Sequence, residues 1–119
     1  MNKVRFGVLG TAKIATKVGQ AIKDAASAEL VAIGSRNLET AKAWGGQYGA
    51  PQAYGSYSEV LVDENIDAVY IPLPPSLHCE WTVKAAEAGK HVLCEKPTAL
   101  NSTEVTKMFA ACKANGVQF

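Results

Sequence analysis

An acid and a base directly follow one of the chain's short apolar runs, in the segment Cys94-Glu95-Lys96-Pro97. At the carboxyl end of a buried strand, the Lys96 ammonium could donate a hydrogen bond to a substrate hydroxyl or carbonyl oxygen. It could then stabilise the alkoxide charge that develops there. Glu95 could orient this lysine. A solvated ion pair in a loop is the alternative interpretation, and Lys96 is our candidate catalytic residue.

A second segment, Gly10-Thr11-Ala12-Lys13-Ile14-Ala15, has the form G-x-A-x-x-A between a predicted strand and a predicted helix. The dinucleotide-binding fingerprint is G-x-G-x-x-G/A. Gly10 keeps the tight turn, and Ala15 still allows close helix–sheet packing. Ala12 replaces the glycine that lets the backbone approach phosphate, and it adds one methyl group. An ordinary turn is the alternative, but the position after the first strand favours pyrophosphate binding at the helix N-terminus.

The second predicted strand ends in Ser35-Arg36, and no carboxylate lies between Glu29 and Glu39. Domains specific for NAD place Asp or Glu at this position to bind the ribose 2′-hydroxyl. Arg36 could instead pair bidentately with a 2′-phosphate, and Ser35 could donate to it. The sequence therefore favours NADP(H) over NAD(H), with a solvent-exposed loop arginine as the alternative.

Three prolines stiffen the loop in the segment 71–78, which reads Ile-Pro-Leu-Pro-Pro-Ser-Leu-His. Proline cannot continue a strand ladder, so this loop is expected at the carboxyl end of the sheet, where ligands of α/β proteins bind. Ser76 is the predicted N-cap of the next helix. His78 falls in the first turn of that helix, where a cofactor contact and a helix-surface histidine are both open interpretations.

The elements that must position these segments alternate along the chain. Strands are predicted at Val4–Leu9, 30–35, Gln52–Tyr54, Ala68–Ile71, His91–Cys94 and 117–119; helices are predicted at 13–26, Leu38–Tyr48, 56–62, 77–88 and Ser102–Ala114. Ser56 with Glu59 predicts a capping box. On the last helix, Val105, Met108, Phe109 and Cys112 are predicted to face inward. The alternation predicts right-handed crossovers and an α/β fold, a doubly wound parallel-sheet Rossmann domain over residues 1–119.

Composition excludes several classes of protein. The chain has 119 residues, with 12 Lys and Arg against 11 Asp and Glu, a balance that argues against nucleic-acid binding. No apolar run reaches about 18 residues, so no membrane span is expected. Cys79, Cys94 and Cys112 are widely spaced and form no Cys-x-x-Cys pair, so neither a metal site nor a disulfide framework is predicted. Reduced cysteines in a cytoplasmic protein are the expectation.

In combination, these segments resemble the N-terminal domain of the Gfo/Idh/MocA oxidoreductases, the group of glucose–fructose oxidoreductase and inositol dehydrogenase. The similar segments follow in order along nearly the whole chain, at 6–15, 32–36, 69–74, 76–78 and 89–97. Glu-Lys-Pro after the fifth strand is the hallmark among them. The Ser-Arg and Pro-Leu-Pro segments are most similar to the branch of dimeric dihydrodiol dehydrogenase and sugar reductases, which tends to use NADP(H).

The resemblance implies a role for each matching position. The cofactor site would comprise Gly10, Thr11, Ala12, Lys13, Ile14, Ser35, Arg36, Leu73, Pro74, His78, Glu95 and Lys96. The segment 10–14 would line the pyrophosphate, and Ser35 with Arg36 would hold the 2′-phosphate. Leu73, Pro74 and His78 would flank the ribose and nicotinamide. Glu95 would contact the nicotinamide ribose, and Lys96 would reach both this ribose and the substrate.

Members of this family are much longer than 119 residues. The resemblance implies a second, mostly antiparallel substrate domain that is absent from this chain and would provide the acid/base and a homo-oligomer interface. The tyrosines of this chain, Tyr57 and Tyr70 included, have good structural interpretations and are not assigned that role. The expected activity of the full-length protein is hydride transfer between nicotinamide and a sugar, polyol or dihydrodiol, with this chain alone inactive. The alternatives are a stand-alone NADP(H)-binding module and another doubly wound class, such as a semialdehyde or dipicolinate-type reductase.

Overall fold

The structure is a computed structural model that describes residues 3–119. In this range the strands are β1 (Val4–Leu9), β2 (Ala28–Gly34), β3 (Gln52–Tyr54), β4 (Ala68–Ile71) and β5 (His91–Cys94). The helices are α1 (Lys13–Asp24), α2 (Leu38–Tyr48), α3 (Tyr57–Leu61), α4 (His78–Glu87) and α5 (Ser102–Ala114). A 3-10 turn at Pro75–Leu77 leads into α4. No helix in residues 3–119 is both long and apolar enough to cross a membrane.

The five strands form one sheet in the order β3-β2-β1-β4-β5, and every neighbouring pair is parallel. The chain runs outward from β1 to β3, returns to β4 on the other side of β1, and then continues to β5. This reversal confirms the predicted doubly wound parallel sheet. It also opens a crevice outside the carboxyl ends of β1 and β4, the place where α/β sheets bind ligands.

Helices cover both faces of the sheet. One core cluster contains Ile33 and Tyr70 of the sheet beneath Trp44 of α2. The other contains Val69 of the sheet beneath Val60 of α3 and further residues of α4 and α5. The central strands are apolar without alternation because both of their faces are buried.

Two glycines let α3 approach the sheet backbone. A Cβ atom added to Gly7 would lie 2.7 Å from Val60 Cγ1, and one added to Gly34 would lie 2.6 Å from Val60 Cγ2. Val60 is fully buried in the space that these missing side chains leave. The packing therefore seats α3 directly against β1 and β2, with its first residue near their carboxyl ends.

Most element predictions are confirmed. Four strands and the helices α2 and α5 have the predicted bounds, while β2 begins and ends slightly earlier than predicted. The helix α1 ends at Asp24 because Ala25 has an extended backbone, with φ −73° and ψ 134°. Ser56 caps α3 as predicted: its hydroxyl oxygen accepts the Glu59 N–H at 3.3 Å, and its hydroxyl donates to the Glu59 carboxylate at 3.0 Å.

Three local predictions are wrong. Ser76 is not the N-cap of α4, because Pro75 starts a 3-10 turn and α4 begins after Leu77 without a side-chain cap. Phe109 does not face inward: it is 55% exposed and packs edge-to-face on Phe119 at 4.8 Å. The segment 117–119 forms no strand. The Val117 N–H donates to Cys112 O of α5 at 3.0 Å, and Gln118 O accepts a single hydrogen bond from the Val92 N–H of β5 at 2.9 Å.

Candidate cofactor and active site

The turn after β1 needs glycine at its first position. Gly10 has φ +101°, in the left-handed region that favours glycine. A Cβ atom there would also lie 3.0 Å from Leu73 Cδ2, on the loop after β4. The Gly10 N–H donates to Gly34 O at 2.8 Å, which ties this turn to the end of β2. Three of the four segments that the sequence assigned to the cofactor therefore converge at this turn.

The N-terminus of α1 differs from those of three other helices. The helices α2, α3 and α5 begin with Asn37, Ser56 and Asn101, and each of these side chains accepts a backbone N–H of the first turn. The helix α1 follows Ala12, has no such bond in the part of the chain that the structure describes, and has no acidic residue in its first turn. Its free N–H groups and the helix dipole favour an anion at this end.

Ala12 adopts an ordinary backbone conformation, with φ −56° and ψ 154°. Alanine takes this conformation without strain, so the turn does not require glycine here. The residue is exposed, and Lys13 and Ile14 after it are exposed too. The departure from the glycine fingerprint therefore causes no backbone strain, and the residues that follow it lie at the surface.

A cleft of about 260 Å³ joins three of the predicted segments, and Glu95 and Lys96 are not among the residues that line it. Its walls come from the turn after β1, the end of β2, the loop after β4 and the start of α3: Gly10, Thr11, Ala12, Ser35, Arg36, Tyr57, Pro72, Leu73 and Pro74. Most of these residues were predicted. Tyr57 and Pro72 were not assigned to the site. Tyr57 reaches the cleft only because α3 packs on the sheet, and Pro72 belongs to the proline-rich loop after β4.

Ser35 and Arg36 present two kinds of donor. The Ser35 side chain is largely buried, and its oxygen accepts the Asn37 N–H at 3.3 Å, which leaves the hydroxyl proton free to donate. The Arg36 side chain is exposed, and within residues 3–119 it forms no ion pair. Its guanidinium is therefore available to an anionic ligand group.

His78 lies behind the cleft and is fully buried. Its Nδ1 is 2.8 Å from Pro97 O and 3.2 Å from Thr98 O, and its Nε2 is 2.6 Å from Leu73 O. The imidazole therefore connects the proline-rich loop after β4 to the loop after β5. It offers no surface for the direct cofactor contact that the resemblance implied, and it is not a helix-surface histidine either.

Glu95 is held by two hydrogen bonds at the end of β5. The buried Tyr70 hydroxyl donates to Glu95 Oε2 at 2.5 Å, and the Lys96 backbone N–H donates to Oε1 at 3.2 Å. The Tyr70 bond, together with the backbone bond, holds the pKa of Glu95 below its usual value. Burial and the adjacent carboxylate raise the pKa of Tyr70. At neutral pH the pair is therefore a fixed carboxylate with a phenol donor.

The Lys96 side chain is exposed at the same strand end. In the described residues its ammonium forms no ion pair with Glu95, which contacts only the Lys96 backbone. The cation is thus free to meet a ligand. Burial raises the pKa of the neighbouring Cys94 thiol to about 11, so Cys94 stays protonated and is no nucleophile.

Residues 4–119 match the Gfo/Idh/MocA family, described as an oxidoreductase family with an NAD-binding Rossmann fold. The chain belongs to this family. The Gfo/Idh/MocA domain is 46% identical over 112 residues to D-xylose 1-dehydrogenase (NADP(+)) 2 of Haloferax volcanii, a match over 94% of this chain and 34% of that protein. It is 34% identical to trans-1,2-dihydrobenzene-1,2-diol dehydrogenase of Xenopus laevis, over 92% of this chain and 34% of that protein.

Among solved structures, the Gfo/Idh/MocA domain is similar to a 3-ketoreductase from Actinomadura kijaniata in complex with TDP-benzene and NADP. The TM-score is 0.94 at 37% identity, over 98% of this chain and 37% of that one. The chain spans about a third of the length of the curated relatives it matches. It is therefore the cofactor-binding part of this oxidoreductase fold.

Proposed function

We propose that this domain binds NADP(H) in preference to NAD(H), and that the full-length protein transfers hydride between nicotinamide and a carbinol or ketone carbon of a sugar, polyol or dihydrodiol. One observation carries the proposal. The N-terminus of α1 and the guanidinium of Arg36 border the same cleft, and in residues 3–119 the first has no side-chain cap and the second no ion pair. No carboxylate directly follows the end of β2. The relatives whose names include NADP(+), such as the D-xylose dehydrogenase, support the choice of cofactor.

The residues present fit this cofactor group by group. The backbone N–H groups of the segment 10–14 would hold the pyrophosphate, which the helix dipole favours. Ser35 and Arg36 would hold the 2′-phosphate through a hydroxyl donor and a bidentate guanidinium. Leu73 and Pro74 would bound the nicotinamide side as an apolar wall. The chemistry that NADP(H) supplies when bound is the transfer of hydride.

Lys96 would act on the substrate oxygen. Its exposed ammonium can donate a hydrogen bond to a carbonyl or hydroxyl oxygen and stabilise alkoxide charge. Glu95, held as a carboxylate by the Tyr70 hydrogen bond, would accept from a ribose hydroxyl. The proton that accompanies hydride transfer would be moved by a residue outside this chain.

Calorimetric titration with NADPH and NADH tests the cofactor assignment. We expect NADPH to bind more tightly, and Arg36→Ala to weaken NADPH binding by about 10- to 100-fold, the range for a hydrogen-bonded charge pair. NADH binding should stay within about twofold, since it has no 2′-phosphate for Arg36 to contact. Lys42→Ala is the matched control, because this exposed cation on α2 lies outside the cleft lining. Equal losses for NADPH and NADH in Arg36→Ala would contradict the assignment.

A further inference from the structure

Tyr57 lies over the glycine turn. It is the first residue of α3 and lines the cleft together with Gly10, Thr11 and Ala12. A Cβ atom built on Gly10 would lie 3.9 Å from the Tyr57 hydroxyl oxygen, which places that oxygen at the mouth of the turn. From the sequence alone, Tyr57 was given a structural role and its side chain was not assigned to the site.

The Tyr57 hydroxyl has no hydrogen-bond partner among residues 3–119, whereas the hydroxyls of two other tyrosines each donate to a carboxylate. The Tyr54 hydroxyl donates to Asp63 Oδ2 at 2.7 Å, and the Tyr70 hydroxyl donates to Glu95. Both of those phenols have a carboxylate beside them. The Tyr57 phenol lies beside the turn of Gly10, Thr11 and Ala12, and no oxygen of residues 3–119 accepts its proton. The proton is therefore free for an acceptor on a ligand or in solvent.

The position of this hydroxyl is fixed by packing. The Tyr57 ring packs edge-to-face on Trp81 of α4, with ring centroids 5.1 Å apart and planes at 84°. Its helix is capped by Ser56 and seated on the sheet through Val60. A side chain that is already held in place loses little conformational freedom when it binds a ligand, so its hydrogen bond contributes more fully to affinity.

We propose that Tyr57 is a cofactor-contacting residue whose hydroxyl donates a hydrogen bond to a pyrophosphate oxygen of NADP(H). The inference rests on the proposed function. The pyrophosphate of a dinucleotide lies on the glycine turn and the helix N-terminus, and Tyr57 faces that turn from the opposite wall of the cleft. Phosphate oxygens accept hydrogen bonds and a phenol donates one, so the groups are complementary. The backbone of α1 and the phenol of α3 thus bind the same group from two sides.

Tyr57→Phe tests the proposal, because it removes the hydroxyl and keeps the ring on Trp81. In the full-length protein, we expect the Kd for NADPH and the Kd for NADH each to rise about tenfold, the size expected for losing a hydrogen bond to a charged group. Both cofactors carry the pyrophosphate, so both should weaken equally. Tyr48→Phe is the matched control: this tyrosine packs on Trp44 at 5.0 Å and is not among the residues that line the cleft, so removing its hydroxyl should leave both Kd values unchanged.

Fluorine NMR of protein that contains 3-fluorotyrosine gives a second measurement, which reports on the Tyr57 ring without weakening cofactor binding. The fluorine resonance of Tyr57 should shift when NADPH is added, and that of Tyr48 should not, with each resonance assigned from the Phe variant. If wild-type protein binds neither cofactor, the proposed function itself is overturned. If wild-type binds and Tyr57→Phe binds equally well, or the Tyr57 resonance stays in place, the role of Tyr57 is overturned. A loss confined to NADPH would overturn the pyrophosphate contact and place the hydroxyl on the 2′-phosphate.

Discussion

The two ends of the crevice are built in opposite ways. At the proposed phosphate end, formed by the turn after β1 and the end of β2, α1 begins without a side-chain cap and Arg36 has no ion pair in the described residues. At the Glu-Lys-Pro end, the polar groups beneath Lys96 are bonded to one another. Tyr70 holds Glu95, and His78 joins two loops through three carbonyl oxygens.

The two ends differ because the negative charge that each would stabilise has a different origin. A phosphate group brings its own charge, so a domain that binds it needs exposed donors that water solvates until the ligand arrives. Alkoxide charge exists only while the reaction proceeds, and a cation stabilises it well when its surroundings are already in place. Changes at the phosphate end should therefore alter affinity. Changes at the Glu-Lys-Pro end should alter turnover or stability.

Lys96→Ala should give the largest effect and the sharpest test of this division. We expect turnover of the full-length protein to fall by at least about 100-fold, the loss typical of removing a donor to developing oxyanion charge. The Kd for NADPH should change by less than about threefold, since phosphate binding dominates the affinity. Steady-state kinetics over a panel of sugars, with calorimetry alongside, would measure both quantities.

Lys113→Ala, which removes an exposed lysine from the last turn of α5, is the control for Lys96→Ala. It should leave turnover unchanged. Undiminished turnover in Lys96→Ala would remove the mechanistic role of this lysine. If NADPH binding collapsed together with turnover, the two ends of the crevice would not be separable, and the comparison itself would fail.

Tyr70→Phe should have a smaller effect, one that depends on pH. The pKa of Glu95 is lowered in the folded protein, chiefly by the Tyr70 hydrogen bond. Its stabilisation is therefore present above the unfolded pKa of about 4.3 and is lost as the pH falls through the lowered folded value. Removing the hydroxyl removes this hydrogen bond and should reduce the free energy of unfolding by about 1 kcal/mol at pH 7. The effect should be no larger, because water can solvate the partly exposed Glu95 in the variant.

Urea unfolding of Tyr70→Phe and wild type at pH 7 and near pH 3 would measure this difference. The gap between the two proteins should narrow at the lower pH, where the carboxylate is becoming protonated. Tyr48→Phe should show no such dependence, since no carboxylate accepts from that hydroxyl in the described residues. An equal gap at both pH values would mean that packing, and not the bond to Glu95, accounts for the effect of Tyr70→Phe.

The elements were predictable because their signals are local. Gly10 determines the turn in which it lies, and Ser56 caps α3 through Glu59, three residues further on. The bounds of α2 and α5 follow from the spacing of their side chains. The convergence of the candidate cofactor segments was predictable for a related reason. The carboxyl ends of parallel strands share one edge of the sheet, so segments distant in sequence could be assigned to one site without knowing any contact.

The bonds beneath the site were not predictable in this way. Tyr70 and Glu95 are 25 positions apart, and His78 and Pro97 are 19 apart. Nothing in the spacing of a single sequence distinguishes a phenol that reaches a carboxylate from a tyrosine that fills the core. Tyr57 is a similar case, because its place in the cleft depends on Val60 packing where Gly7 and Gly34 lack side chains.

Ala12→Gly should have the smallest effect, and it tests whether the phosphate end is built from backbone. Ala12 has φ −56° and ψ 154°, a conformation open to alanine, so glycine relieves no strain. We expect the Kd for NADPH to change by less than about threefold, with a loss of about 0.4–1 kcal/mol in stability from the freer unfolded chain.

Ala26→Gly, in the exposed loop before β2, is the control for that stability loss. Binding more than about tenfold tighter in Ala12→Gly would show that a methyl group obstructs the pyrophosphate. The turn after β1 would then depend on side-chain size as well as on its free N–H groups.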